Sequence, residues 1–234
     1  LSMQIGDART TEEWMEIYRK IVYWELQLEE ADTQMHDMLK SQKEEANSIY
    51  ARFVKNNYME WMAAGREERP MMSHDLFRER IFPLVDKGEK VFMIIIDNFR
   101  YDQWRMLLGE IADGFSVEEN MYCSILPTAT QYARNAIFSG LMPNDIARMF
   151  PELWVDEDSE EGKNLNEEPL VRTHLDRYRR KNSFSYHKIN HSGAAEKFVS
   201  QIPALMCYAM RWRPMFLPEP TTSRMHWQKR RFLW

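Results

Sequence analysis

The stretch "VFMIIIDNFRYDQW", residues 91–104, decides the fold. Six apolar residues run without a break into Asp97, and Asn98, Phe99, Arg100 and Tyr101 follow. A short apolar run rich in Ile, entered through the turn residues "DKGEK", is the pattern of a strand covered on both faces by helices, as in parallel sheets. In open α/β sheets ligands lie beyond the carboxyl ends of the strands, and Asp97 falls at such an end. A carboxylate there is costly to desolvate unless a cation or hydrogen-bond donors meet it. A divalent metal is the natural compensation, since zinc and manganese both accept aspartate oxygens.

Downstream of the strand the pattern continues as α/β. A helix is expected over about 101–112, stopped at "ADGF" by Gly114. Residues 115–126, "FSVEENMYCSIL", read as a second strand region. "PTATQYARNAIFSGLMP" then reads as a turn, a helix and a stop at Gly140 and Pro143. Residues 152–170 carry eight acids and two Asn around Gly162 and read as a surface loop or insertion. A helix is expected over 170–180, a strand around "FSYHKIN" and a helix over 194–201.

Upstream, residues 10–62 hold no Gly and no Pro. Thr10 or Thr11 caps the start, with Glu12 and Glu13 in the first turn. Trp14, Ile17, Ile21, Trp24 and Leu28 recur at helical spacing, as do Met35, Met38 and Leu39, and then Ile49, Phe53 and Tyr58. The stretch 29–47 is much more polar, so two or three helices are expected rather than one buried rod. The Trp and Met stripes read as core or helix–helix packing. Gly65 and Pro70 in "GREERPMMS" mark a boundary, after which Ser73 caps a short helix through "HDLFRERIFPLV".

Composition narrows the classes. The 234 residues are 44% apolar and 29% charged with a net charge of −5, so a sizeable core is possible and no basic nucleic-acid face is implied. Cys123 and Cys207 lie far apart, which suggests a reducing, cytoplasmic compartment rather than a disulfide framework. No apolar run reaches the length of a membrane span, and the opening Leu-Ser-Met-Gln is not that of a signal peptide. Starting without Met and directly on helix-like sequence, the chain reads as a piece of something longer. From Ala204 to Trp234, six Lys or Arg stand against a single Glu, with three Trp, four Met and three Pro and no regular period. This is an atypical basic tail, read as the product of a shifted reading frame.

Thr130 stands where loop becomes helix. A helix N-terminus presents free N–H groups and a positive dipole end, suited to a phosphate. A hydroxyl there attacks phosphorus if a metal lowers its pKa. Thr130 is also an ordinary N-cap candidate, and Thr128 competes for the nucleophile's role. The joint pattern, an acid at a strand end and a Thr at a helix start some thirty residues on, favours the reactive reading.

"IIIDNFRYDQW" followed by "LPTATQYARNAIFSGLMP" resembles the PglZ domain of the alkaline phosphatase superfamily. Relatives in the nucleotide pyrophosphatase branch show a similar Asp-x-Phe-Arg strand end and Pro-Thr-x-Thr turn. With the helices ahead of the motifs, the wording is most similar to PorX-type response regulators of Bacteroidetes, associated with type IX secretion. The resemblance covers roughly residues 1–203. It implies an α/β fold: a helical N-terminal linker or dimerisation segment (1–68), then the first part of an alkaline-phosphatase-like domain (69–203), with the tail (204–234) outside it. It further implies a site of two zinc ions, Thr130 as nucleophile and metal ligand, Asp97 as the first metal ligand, and a phosphate-ester or nucleotide-type substrate. A homodimer through the N-terminal helices and a cytoplasmic effector of a two-component system, with no membrane segment, complete that picture.

The departures limit it. The family's site needs an Asp with a His a few residues on, an adjacent Asp-His pair and another His after the nucleophile, and none of these is found. His187 and His191 are four apart without the Asp they need. Adjacent pairs occur only as His36-Asp37 and His74-Asp75, in the wrong order and ahead of the nucleophile. One Asp and one Thr do not complete two zinc sites, so this chain alone is expected to bind metal weakly and to be inactive. Arg100 and Arg134 are candidates for phosphate contact. The alternative is a non-catalytic regulatory module working through its N-terminal helices. A haloacid-dehalogenase-type site is excluded, because Phe99 stands where its second Asp belongs, and no Gly-rich phosphate loop is present.

Overall fold

The computed structural model describes residues 1–28, 33–155, 165–181, 183–189 and 205–211. At Thr130, Ile189 and 205–211 it describes the backbone alone. The chain forms two compact units: Leu1–Met71 with Phe99–Cys123, and Met72–Asn98 with Ser124 onwards.

The first unit is helical. Helix α1 spans Ser2–Asp7, α2 Thr11–Gln27 and α3 Thr33–Ala63. Helix α2 ends with its cap at Leu28, just ahead of the polar stretch. Thr10 caps α2 through a reciprocal capping box: its hydroxyl accepts from Glu13 N–H, and the Glu13 carboxylate accepts from Thr10 N–H. Of the expected stripe, Trp14, Ile17 and Ile21 of α2 are buried, joined by Val22, while Trp24, Met35 and Met38 are exposed. Trp14 meets the rings of Tyr50 and Phe53 at 5.3 and 6.1 Å, and Phe53 meets Trp61 at 5.7 Å. Burial pushes the Tyr18 phenol up to about 12, with the Asp102 charge acting in the same direction. Of the 31 residues in α3 only Leu39, Ala46 and Trp61 are buried, so most of that helix is surface.

Helix α5, Tyr101–Ala112, belongs to the same unit. Glu119 accepts from Tyr101 Oη at 2.5 Å and Trp104 Nε1 at 2.8 Å, with the Arg105 and Arg19 guanidinium groups at 3.5 and 3.7 Å. Residues 115–126, expected to be a strand, form no strand and only an isolated bridge at Cys123. Their anchors are the acid at Glu119 and a bond from Cys123 N–H to Met71 O.

In the second unit the expected helix after Ser73 changes winding along its length. Ser73–Asp75 is a 3₁₀ turn, Phe77–Ile81 a π turn and Phe82–Asp86 helix α4. Pro83 has no N–H to donate to the preceding turn, and Phe82 N–H reaches back five residues to Phe77 O. Strand β1, Val91–Asp97, lies where the opening stretch puts it. Helices α6 (Thr130–Ser139), α7 (Pro143–Met149) and α8 (Glu167–Arg177) follow, then β2 (Phe184–Ile189) and β3 (Leu205–Arg211). Helix α8 begins three residues earlier than expected. The expected helix over 194–201 and the tail beyond 211 lie outside the described residues.

The three strands form one parallel sheet in the order β1-β3-β2, with Val91 opposite Leu205 and Asp97 opposite Arg211. Residues 205–211, expected to have no strand period, are the central strand. Phe77, Phe82, Val85, Val91, Ile137, Phe138, Ile146, Leu170, Val171 and Leu175 make the core, with Met93 and Ile95 packed against it. Coverage of β1 on both faces is not what the described residues show: Phe92 is 46% exposed and Ile94 55%. One face of the strand meets the helices and the other is open to solvent, so the two-sided α/β layering is not established.

Candidate functional site

Asp97 is the last residue of β1, and the chain turns directly after it through Asn98, held at φ 58°. That left-handed conformation is one that Asn tolerates better than most residues. It stops the strand at the carboxylate instead of carrying it past the sheet.

Thr130 is the first residue of α6. The cap is Ala129, whose carbonyl accepts from Tyr132 N–H at 2.9 Å and Ala133 N–H at 3.0 Å. The ordinary N-cap role considered for Thr130 therefore falls to its neighbour. The Ala129 methyl offers no acceptor to the amides of the first turn. Thr128 is a half-buried loop residue just ahead of it.

One turn into α6 lies Arg134, and here sequence reasoning saw only one of two candidate arginines. Its side chain is 9% exposed and faces two carboxylates. Nη1 is 3.2 Å from Asp97 Oδ2, and Nε is 2.6 Å from Glu167 Oε1. Glu167, the first residue of α8, is 1% exposed. Its other oxygen takes Lys188 Nζ at 3.3 Å and accepts from the Tyr186 hydroxyl. Four charges, two of each sign, thus tie the end of β1, the first turns of α6, the start of α8 and strand β2. Burying charge is tolerable only when it is paired and further hydrogen-bonded; Glu167 Oε2 meets both conditions, while Oε1 and Arg134 Nε meet as an ion pair and not as a hydrogen bond. The signal was faint in the sequence: Glu167 sits among eight acids in a stretch that reads as a solvated loop. Arg100, the other candidate, pairs with Asp102.

The far end of α6 is held differently. Gly140 closes the helix at φ 63°, and a Cβ there would come within 2.3 Å of the His174 ring. His174, 1% exposed, donates from Nδ1 to Phe138 O at 3.0 Å and meets Phe77, Phe82 and Tyr178 edge-on or tilted at 5.1–5.4 Å. Burial pushes the imidazole pKa down to about 4, aided by the Arg177 and Arg180 charges and opposed by the Phe138 bond. His174 is thus a core residue and not a ligand. His187 is half-buried on β2, and His191 lies outside the described residues.

The described donors do not make a zinc site. No group of three His, Cys, Asp or Glu converges among the described residues. Asp97 brings a single carboxylate, and a guanidinium already stands against it. A catalytic zinc needs three protein ligands, so further ligands would have to come from outside this set.

Compared with known families, residues 76–208 match the BREX system PglZ alkaline phosphatase-like domain. Residues 1–62 match the PorX response regulator linker domain. No curated protein matches the chain. No described helix is long and apolar enough to cross a membrane.

Proposed function

We propose that this chain, which belongs to the PglZ alkaline phosphatase-like family, carries the nucleophile-bearing part of a phosphoryl hydrolase that serves as effector of a two-component response regulator. The observation that supports the reading most is the pairing of Asp97, at the end of a parallel strand, with Arg134, one turn after the threonine that opens α6. In this reading the Thr130 oxygen attacks phosphorus and the ester oxygen leaves with a proton. Water then releases phosphate from the threonine, or a phosphomonoester where the substrate is a diester. The substrate is a phosphomonoester or a phosphodiester of nucleotide type.

The family's two zinc ions would supply Lewis acidity at this place. Asp97 and Thr130 are the contributions we assign to this chain. Because one Asp and one Thr do not complete two zinc sites, the chain by itself is proposed to bind metal weakly and to be inactive. The domain division 1–68, 69–203 and 204–234, a cytoplasmic location and an association with type IX secretion are parts of the same proposal.

The test is hydrolysis of a nitrophenyl phosphodiester, with zinc counted in parallel. One sample is this chain, and the other is a version joined to the family's missing Asp and His motifs. Activity is expected only in the joined protein, with loss on Thr130→Ala. Hydrolysis that survives Thr130→Ala would remove the threonine from the mechanism, and activity in the short chain would overturn its assigned inactivity.

A second reading has its own support. Residues 1–62 match a response-regulator linker, and α3 leaves Met38 56% and Met59 75% exposed. A non-catalytic module that dimerises through these helices fits that surface. Sedimentation of the chain as a concentration-independent monomer would exclude it.

A further inference from the structure

We infer that Glu167 is the positioning residue for an oxyanion site centred on Arg134, which binds the phosphate group of the substrate. The inference rests on the hydrolase reading above and adds to it a residue outside both motifs.

The charge count carries it. If Arg134 served only to neutralise Asp97, one carboxylate would be enough, and a second one at 1% exposure would be a needless desolvation cost. Glu167 instead holds the Nε side of the guanidinium at 2.6 Å, while Asp97 meets Nη1 at 3.2 Å. Glu167 is itself fixed by Lys188 and Tyr186 on its other oxygen. It therefore stays in place whatever happens at the strand end. Where an anion displaces the Asp97 carboxylate from Nη1, Glu167 keeps the guanidinium in place. Residues four apart on a helix are neighbours, so Arg134 follows the backbone of Thr130 by one turn on the same side of α6. A guanidinium fork and helix amides are both phosphate-binding elements. Arg, rather than Lys, is needed because one planar group must touch Glu167 and the anion together.

The probe is inorganic phosphate, titrated into the 234-residue chain at constant ionic strength and followed by ³¹P line broadening. Thermal unfolding is recorded for each variant. Glu167→Gln and Arg134→Lys are each expected to weaken phosphate about tenfold or more. The double variant should be no weaker than Arg134→Lys alone, because Glu167 acts only through the arginine. Should Glu167→Gln fail to fold, Glu167→Asp keeps the charge and withdraws it by one methylene, with a loss expected in the same direction. Thr10→Ala, in the helical unit, should keep phosphate binding, and the phosphate readout needs no turnover, which separates this inference from the fate of the hydrolase reading. A wild-type chain indifferent to phosphate overturns the inference. So does a Glu167→Gln chain with a lower melting temperature and unchanged phosphate affinity, which would make Glu167 structural only.

Discussion

Helix α8 grips helix α6 at two places, and the grips are made of opposite materials. Toward the start of both helices, Glu167 meets Arg134 in a network of buried charge. Two turns along α8, His174 sits among Phe77, Phe82 and Tyr178 and reaches the last turn of α6 through one carbonyl. The second grip is ordinary packing, non-directional and tolerant of small adjustments. The first is directional and costly to desolvate, and it stands beside the strand-end acid. A protein that needed only stability would do as well with apolar side chains at both places. The charged grip is where geometry matters, and the apolar grip keeps α8 in register so that Glu167 arrives at Arg134.

Removing the charged grip should cost most. Glu167→Ala leaves Arg134 and Lys188 without their shared buried carboxylate, and a loss of about 4 kcal/mol is expected in urea unfolding. A loss under about 1 kcal/mol would mean that the network contributes little and that both grips rest on packing. Gly140→Ala attacks the apolar grip through a left-handed φ and a Cβ driven into the His174 ring. About 3 kcal/mol is expected from strain and overpacking together, by the same measurement.

Acid should find the apolar grip as well. Burial holds His174 down at about 4 in the folded chain, against about 6.5 for an unperturbed histidine. Between those values the unfolded state binds the extra proton, so stability falls as pH drops from about 6.5 towards 4, by about 3 kcal/mol in all. His174→Phe should flatten that part of the stability–pH curve. A curve left unchanged would show that the imidazole is not what senses acid.

The smallest effect should come from outside both grips. Thr10→Ala removes the α2 capping box in the helical unit and should cost about 1 kcal/mol. Phosphate affinity should be unaffected, which makes it the control for the binding experiment.

The strand to Asp97, helices α5 and α6, the Gly140 stop and the Thr10 cap were all legible, because each depends on local chemistry: an apolar run, a periodic stripe, a left-handed glycine, a hydroxyl before two acids. What failed depended on partners far along the chain. Residues 115–126 have strand-like composition, yet Glu119 is claimed by Tyr101 and Trp104, and Ile125 N–H by the Ser73 hydroxyl at 3.1 Å. The run "LMCYAM" at 205–210 has the same continuous apolar signature as β1, but the Trp, Pro and Arg crowd beyond it drew attention to the tail as a whole. At the site, Asp97 and the helix position of Thr130 could be read from motif and spacing. Glu167 could not, since one acid among eight looks like solvated surface until the fold buries it.

Tyr101 and Trp104 are covered by the family match, which runs from 76 to 208. Their neighbours Tyr18 and Arg19 are not. Boundaries drawn along the linear sequence and boundaries drawn by packing therefore disagree at α5. A protein trimmed to the matched segment would strip α5 of the α2 side chains it rests on, directly after the turn that follows Asp97. Anyone excising the catalytic-looking piece should expect sticky aromatic surface and poor recovery from the shortened version, and should keep the leading helices attached.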